Sequence, residues 1–311
     1  MKVAKKTKYG AVIVACAIFG LITLLVSHAS TPVVSIEPEA GALKSPATTR
    51  QLTTASSDYA VLFGSSPQPA GLGNTDGPSG NWRMVFEDNF DGTALDSSSW
   101  NTGWYGTGVT APVQSQELAC FDPSHVTVGS GVMTIKATND DSTCSKGTNP
   151  HPYTSGNINS NGKKSFSYGY FEAKINIEAD ANNNMYNWPA WWLDGQPTWP
   201  NNGELDIMEG LGGDTASANA NWHGPENGGN GNNFADKHLA SGWHTFAAEW
   251  SPGSVTAYYD GIKQRTYSSV SNITSSPQFM VLGLQIDGIV HGGKTKIPGQ
   301  IDVDYIRVWQ R

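Results

Sequence analysis

Residues 170 to 177 alternate in character: Phe171, Ala173, Ile175 and Ile177 make one apolar face, and Tyr170, Glu172, Lys174 and Asn176 make a mixed one. Successive side chains of a strand point to opposite faces, so this period of two predicts a strand with one face in a core. Turn chemistry punctuates similar runs. Gly129-Ser130-Gly131 separates Val126-Thr127-Val128 from Val132-Met133-Thr134-Ile135, and Asp260-Gly261 separates residues 255–259 from residues 263–267. Both read as hairpins. No stretch of amphipathic helical period occurs outside the first residues of the chain. Many short strands at such spacing predict an all-β sandwich for about the last 230 residues.

One run does not suit an ordinary buried strand. Glu204-Leu205-Asp206-Ile207-Met208-Glu209 places three carboxylates in six residues, and acids are seldom buried without a task. In a regular strand Glu204 and Asp206 share a face while Glu209 points to the other. One bulged residue, at Ile207 or Met208, would shift the facing by one and bring all three acids onto one surface. Two glutamates with an aspartate between them suit glycoside hydrolysis, where one carboxylate attacks the anomeric carbon and another protonates the leaving oxygen. Retaining chemistry needs the two carboxyl groups about 5–5.5 Å apart, whereas four strand steps separate backbones by roughly 13 Å. The strand must therefore curve, and the sheet must carry a cleft. A structural cation site or a polar strand face is the reading that the triplet alone leaves open.

Aromatic residues surround this run. Trp188 and Trp192 are four apart and share a strand face, with Trp191 directed the other way into the core. Trp199 lies just ahead of the acidic strand and Trp222-His223 just after it, all placed to line the same cleft, where indole faces stack on sugar rings. Trp104, in a Gly-rich loop, is a candidate platform at the cleft edge, while Trp243, Trp250 and Trp309 read as core.

The remaining composition bears on compartment and partners. Lys2, Lys5, Lys6 and Lys8 precede an apolar stretch from Ala11 to Val26, and Ser27-His28-Ala29 offers a small-x-small cleavage site. Residues 1–29 therefore read as a signal peptide, or as a signal anchor if uncut, because the stretch falls between a signal core of about 7–15 residues and a membrane span of about 20. Either outcome puts Ser30 onward outside the cytoplasm: secreted, or membrane-anchored with the catalytic domain outside. Residues 30–80, rich in Ser, Thr, Pro, Ala and Gly, read as a linker, leaving 81–311 as one catalytic domain. The chain holds 19 basic and 27 acidic residues, and four of the lysines sit in the leader. That balance argues against nucleic acid and, more weakly, against a heavily sulfated polysaccharide. Cys16 lies in the leader, which leaves Cys120 and Cys144 as an even pair in an oxidising compartment, and a disulfide is expected. Closing a loop of 24 residues stabilises by about 3 kcal/mol in the chain-entropy model.

Residues 203 to 210, Gly-Glu-Leu-Asp-Ile-Met-Glu-Gly, resemble the active-site strand of glycoside hydrolase family 16. Other pieces fall in that family's order: Val85-Phe86-Glu87-Asp88-Asn89-Phe90-Asp91-Gly92, Tyr168-Gly169-Tyr170-Phe171-Glu172-Ala173-Lys174, and Trp188-Pro189-Ala190-Trp191-Trp192-Leu193. After the acids come Trp243-His244-Thr245-Phe246, Tyr259-Asp260-Gly261 and Val303-Asp304-Tyr305-Ile306-Arg307-Val308, so the resemblance spans roughly residues 81 to 311.

The resemblance narrows the sandwich to a concanavalin-like β-jelly roll with a concave substrate cleft. It implies Glu204 as nucleophile, Glu209 as general acid and base, and Asp206 between them holding the nucleophile's orientation and keeping like charges from ionising together. His223 matches a family histidine near these acids. A structural calcium on the convex side is implied, with Asp304 as its side-chain ligand, and no cofactor is expected for catalysis. The activity implied is an endo-acting retaining β-glucanase that cuts internal β-1,3 bonds, with mixed β-1,3-1,4 chains as a further substrate. An extra residue before the last Glu resembles laminarinase-type members, although agarases and carrageenases share it. A non-catalytic glucan-binding protein on the same fold, a galactan hydrolase and a transglycosylase are the alternatives, and the intact acids favour an enzyme. The expected partner is the polysaccharide alone, with a membrane involved only if the leader stays uncut, and the chain is expected to act as a monomer.

Overall fold

The computed structural model describes residues 47–51, 59–63, 77–139, 144, 151–182, 185–210, 218–237, 239, 242–286 and 294–311. The leader at 1–29, with its question of cleavage, lies outside the described residues. The chain divides into two units, Met1–Phe63 and Gly64–Arg311. In the first, Ala47–Gln51 and Tyr59–Phe63 pair as an antiparallel hairpin, a pairing that the linker-like composition does not predict.

The second unit is all-β. Its strands form two large antiparallel sheets. One runs in the spatial order Asn232–Lys237, Ala218–His223, Glu204–Gly210, Trp188–Asp194, Gln278–Gln285, Asn157–Asn159 and Asn101–Thr102. The other runs Ile262–Ser268, Ser254–Tyr259, Gly242–Ser251, Gly169–Ile177, Gly299–Gln310, Val132–Ala137 and Val126–Gly129. The chain passes back and forth between them, as from Gly169–Ile177 to Trp188–Asp194, giving the jelly-roll sandwich. Among the described residues the helical content is a single 3-10 turn, Pro123–His125, and no helix there is long and apolar enough to cross a membrane.

The core lies between the sheets and follows the predicted alternation. Phe171, Ala173, Ile175 and Ile177 point inward to meet Trp191, Leu193, Leu205 and Leu282. Both predicted hairpins form. Asp260 and Gly261 take φ of 51° and 71°, the left-handed pair that matches a two-residue turn to the twist of its strands. On the outer face of the second sheet, Tyr170, Met84, Ala247 and Trp309 make a smaller apolar cluster with Trp82 and Tyr258 against it. Gly77 lies so close to Trp309 that a Cβ there would approach the indole to 2.7 Å. The Arg311 guanidinium sits over the Trp82 ring at 4.1 Å. Trp250 and Trp309 are buried as expected, but Trp243 is 42% exposed, with the Lys174 ammonium 5.6 Å from its ring. The expected disulfide joins Cys120 to Cys144 with Cα atoms 5.7 Å apart.

The acidic strand contains the required bulge, and the extra residue is Ile207. Trp191 pairs with Met208 and Trp192 with Asp206, leaving Ile207 without a partner on that side. On the other side Asp206 pairs with Asn221 and Glu209 with Asn219, so the acidic strand advances one residue more than its neighbour. Leu205, Ile207 and Met208 are all fully buried. A bulge takes a carbonyl out of the ladder, and a buried carbonyl needs a donor. The Tyr259 hydroxyl, from the opposite sheet, donates to the Ile207 carbonyl at 3.2 Å. Tyr259→Phe is therefore expected to lower the unfolding free energy by about 1–3 kcal/mol, read from guanidinium denaturation; an unchanged midpoint would show that the bulge holds without this bond.

Candidate active site

The bulge turns Glu204, Asp206 and Glu209 onto one face, where they line a cleft of roughly 700 Å³ on the outer side of the first sheet. Each acid has its own donor. Trp199 donates its indole N–H to Glu204. His223 Nε2 lies 3.0 Å from Asp206 Oδ2, and His223 Nδ1 donates to the Gly229 carbonyl at 2.9 Å. Glu209 accepts from Trp188 Nε1 at 3.0 Å and from Asn221 Nδ2 at 3.4 Å.

Crowded like charges in a desolvated floor cannot all ionise freely. Burial, followed by the charge of Asp206, raises Glu204 well above the usual carboxylate range, with the His223 charge and the Trp199 hydrogen bond opposing. For Glu209, burial and then Asp206 push the pKa up to about 8 against the hydrogen bonds from Trp188 and Asn221. Burial alone would lower His223, but the hydrogen bond and charge of Asp206, with Glu204 behind them, push it up to about 10. At neutral pH the imidazole is therefore a cation inside the acidic cluster, and the Glu209 carboxyl still holds its proton.

Glu204, Asp206 and His223 each bring a ligand atom within 4.8 Å of the others. Within this cluster His223 Nε2 is already engaged with Asp206 Oδ2 at 3.0 Å, and Trp199 donates to Glu204. Asp304 does not fit the calcium expectation. Its carboxylate faces the Lys174 ammonium at 2.8 Å, and a divalent cation there would compete with that charge.

Trp188, Trp192, Trp199, His223 and Trp104 all line the cleft. Trp191 is fully buried in the core, as the alternation requires. Trp222 departs from the expectation: it is fully buried, donates to the Asn272 carbonyl at 2.9 Å and packs on Trp250. The reason is again the period of two, since His223 faces the cleft and its neighbour must face the core. Asn272-Ile273-Thr274 has the pattern of a glycosylation sequon, but the Asn272 carbonyl and side chain are engaged and Asn272 is 1% exposed, so it is not displayed. Tyr105, Asp194, Gln196 and Gln285 also line the cleft and were not singled out from the sequence. For Asp194 a signal existed, because Trp188, Ala190, Trp192 and Asp194 are alternate residues of one strand.

The sequence profile of Glycosyl hydrolases family 16 matches residues 114–307, which include every acid of this site. The chain belongs to glycosyl hydrolases family 16. Among relatives, glucan endo-1,3-beta-glucosidase A1 of Niallia circulans is 28% identical over 76% of this chain and 39% of its own length. The beta-glucanase of Rhodothermus marinus is 26% identical over 74% of this chain and 85% of its own. Among solved structures, the endo-beta-1,3-glucanase from Pyrococcus furiosus is 26% identical with a TM-score of 0.63, covering 74% of this chain and 94% of that one. The chain thus spans well under half of the first relative's length and nearly all of the solved Pyrococcus chain.

The electrostatic arrangement makes a direct prediction. Asp206→Asn removes the negative charge that holds Glu209 up, so the Glu209 midpoint is expected to fall below about 8, followed by carboxyl NMR titration of the labelled protein; a midpoint that stays in place would assign the shift to burial alone.

Proposed function

We propose that the chain is an exported endo-β-glucanase that hydrolyses internal β-1,3 bonds, and mixed β-1,3-1,4 chains, with retention of configuration. The observation that carries this reading is the pair Glu204 and Glu209, brought to one face by the Ile207 bulge, with Glu209 still protonated at neutral pH. Glu204, steered by the Trp199 indole and the His223 charge, attacks the anomeric carbon and forms a glycosyl ester. Glu209 gives its proton to the glycosidic oxygen as that bond breaks, then takes a proton from the water that cleaves the ester. Asp206 with His223 holds the charge pattern between them.

The names of the relatives support a glucan substrate, and so does the lining of the cleft. Five carboxyl groups, those of Glu117, Asp194, Glu204, Asp206 and Glu209, line it, and among the described lining residues His223 is the one basic side chain. A sulfate ester or uronate would meet no Lys or Arg among those residues, whereas a neutral chain stacks on Trp192 and Trp199 without a charge penalty. Export is supported by the leader pattern and by the Cys120–Cys144 disulfide, which belongs to an oxidising compartment.

The test is product analysis with laminarin, lichenan, agarose and carrageenan. Oligosaccharides released from laminarin as the β-anomer are expected; release from agarose or carrageenan alone would move the substrate to galactans, and binding without release would indicate a glucan receptor. Glu204→Gln should abolish turnover while leaving binding intact, and Glu209→Gln should lower kcat by about 10²–10⁴-fold. The acid must be protonated and the nucleophile ionised, so kcat/KM should fall as pH rises through about 8 and fall again as pH drops through a Glu204 limb displaced upward. A flat profile above pH 8 would remove Glu209 from the acid role.

A further inference from the structure

The Glu204 end of the cleft has a wall that the chemistry above does not use. Trp104 and Tyr105 stand there with ring centroids 4.4 Å apart, Trp104 packs on Trp192 at 5.4 Å, and Tyr105 is 46% exposed. The root of this loop is tied down. Trp104 N–H donates to Thr110 Oγ1 and Asn159 Nδ2 donates to the Gly103 carbonyl, each at 2.8 Å. Gly103 has φ of 79°, and a Cβ on it would come within 2.7 Å of Thr110 Oγ1. Tyr105 itself has φ of 41°, a conformation that a bulky residue keeps only when its surroundings hold it.

What reaches across to hold it is Asp194. The Tyr105 hydroxyl donates to Asp194 Oδ2 at 3.3 Å, and Gln196 Nε2 braces both carboxylate oxygens at 3.1 and 3.3 Å. Asp194 is 1% exposed and pairs directly with Glu204 across the two strands. Cross-strand partners share a face, so the anchor of the wall sits one strand away from the nucleophile.

We infer that Asp194 is a positioning residue for substrate recognition: through Tyr105 it fixes the Trp104–Tyr105 wall and so shapes a subsite for the sugar unit at the Glu204 end of the cleft. The wall offers that unit an aromatic face, and the buried carboxylate acts on it only through the Tyr105 hydroxyl. This inference rests on the glucanase reading. It concerns ground-state grip on the chain and leaves bond cleavage to Glu204 and Glu209.

The experiment compares Tyr105→Phe, Asp194→Ala, the double variant and Asp194→Asn on laminarihexaose, in full steady-state kinetics with a thermal melt for each. Tyr105→Phe keeps the ring on an exposed loop and removes only the hydroxyl. It and Asp194→Ala are each expected to raise KM roughly tenfold, with kcat changed less than about twofold in Tyr105→Phe, the variant that leaves the Asp194 charge beside Glu204 in place. The double variant should be no worse than Asp194→Ala, because both remove one linkage. Asp194→Asn, which keeps an acceptor for Tyr105, should restore KM to near the parent value. Loss of kcat at constant KM, additive effects, or an unchanged KM in Tyr105→Phe would each overturn the inference. A parent protein that does not turn over laminarihexaose would instead overturn the glucanase reading itself.

Discussion

Strand geometry gives every side chain one of two faces, and the chemistry of this cleft depends on breaking that rule at a single residue. Without the step at Ile207, Glu209 would enter the core beside Leu205 and face no substrate. With it, two consecutive apolar residues, Ile207 and Met208, both go inward and the three acids all go outward. The break leaves a carbonyl without a ladder partner, and its donor comes from the opposite sheet. The sandwich is therefore more than a platform for the acids. Its second layer supplies the hydrogen bond that the irregular strand cannot make for itself.

Once the acids share a face, their proximity sets their behaviour. Asp206 raises both of its neighbours and lifts His223 as well, so one side chain tunes three others. The indoles of Trp188 and Trp199 act in the opposite direction, each donating to one glutamate. Burial and Asp206 thus raise both glutamates, and each is held by a tryptophan that also lines the cleft.

The sequence shows most of this by its period. The alternation in residues 170–177, the two hairpins and the need for a bulge are all legible because they follow from local backbone geometry. Whether the extra residue is Ile207 or Met208 depends on pairing with both neighbouring strands, which only the folded sheet determines. Trp222 does not share the cleft with its neighbour His223, because the alternation puts the two on opposite faces. Asp194 is legible in the same way, since it stands in step with Trp188 and Trp192. The role of Tyr105 has no sequence signal at all, because its hydroxyl meets Asp194 across 89 positions of chain. Asp304 pairing with Lys174 is likewise a contact across 130 positions of chain, between strands that lie side by side only in the folded sheet.

The apolar cluster on the far sheet closes the back of the sandwich. Gly77 rests against Trp309, and Arg311 covers Trp82, so residues ahead of the strand Arg83–Asp88 and the final strand are clasped together on the outer face of the second sheet. That face is turned away from the cleft by the full thickness of the sandwich. Neither Gly77 nor Arg311 lines the cleft, so a change at this clasp can reach the acids only through the core that separates the two sheets.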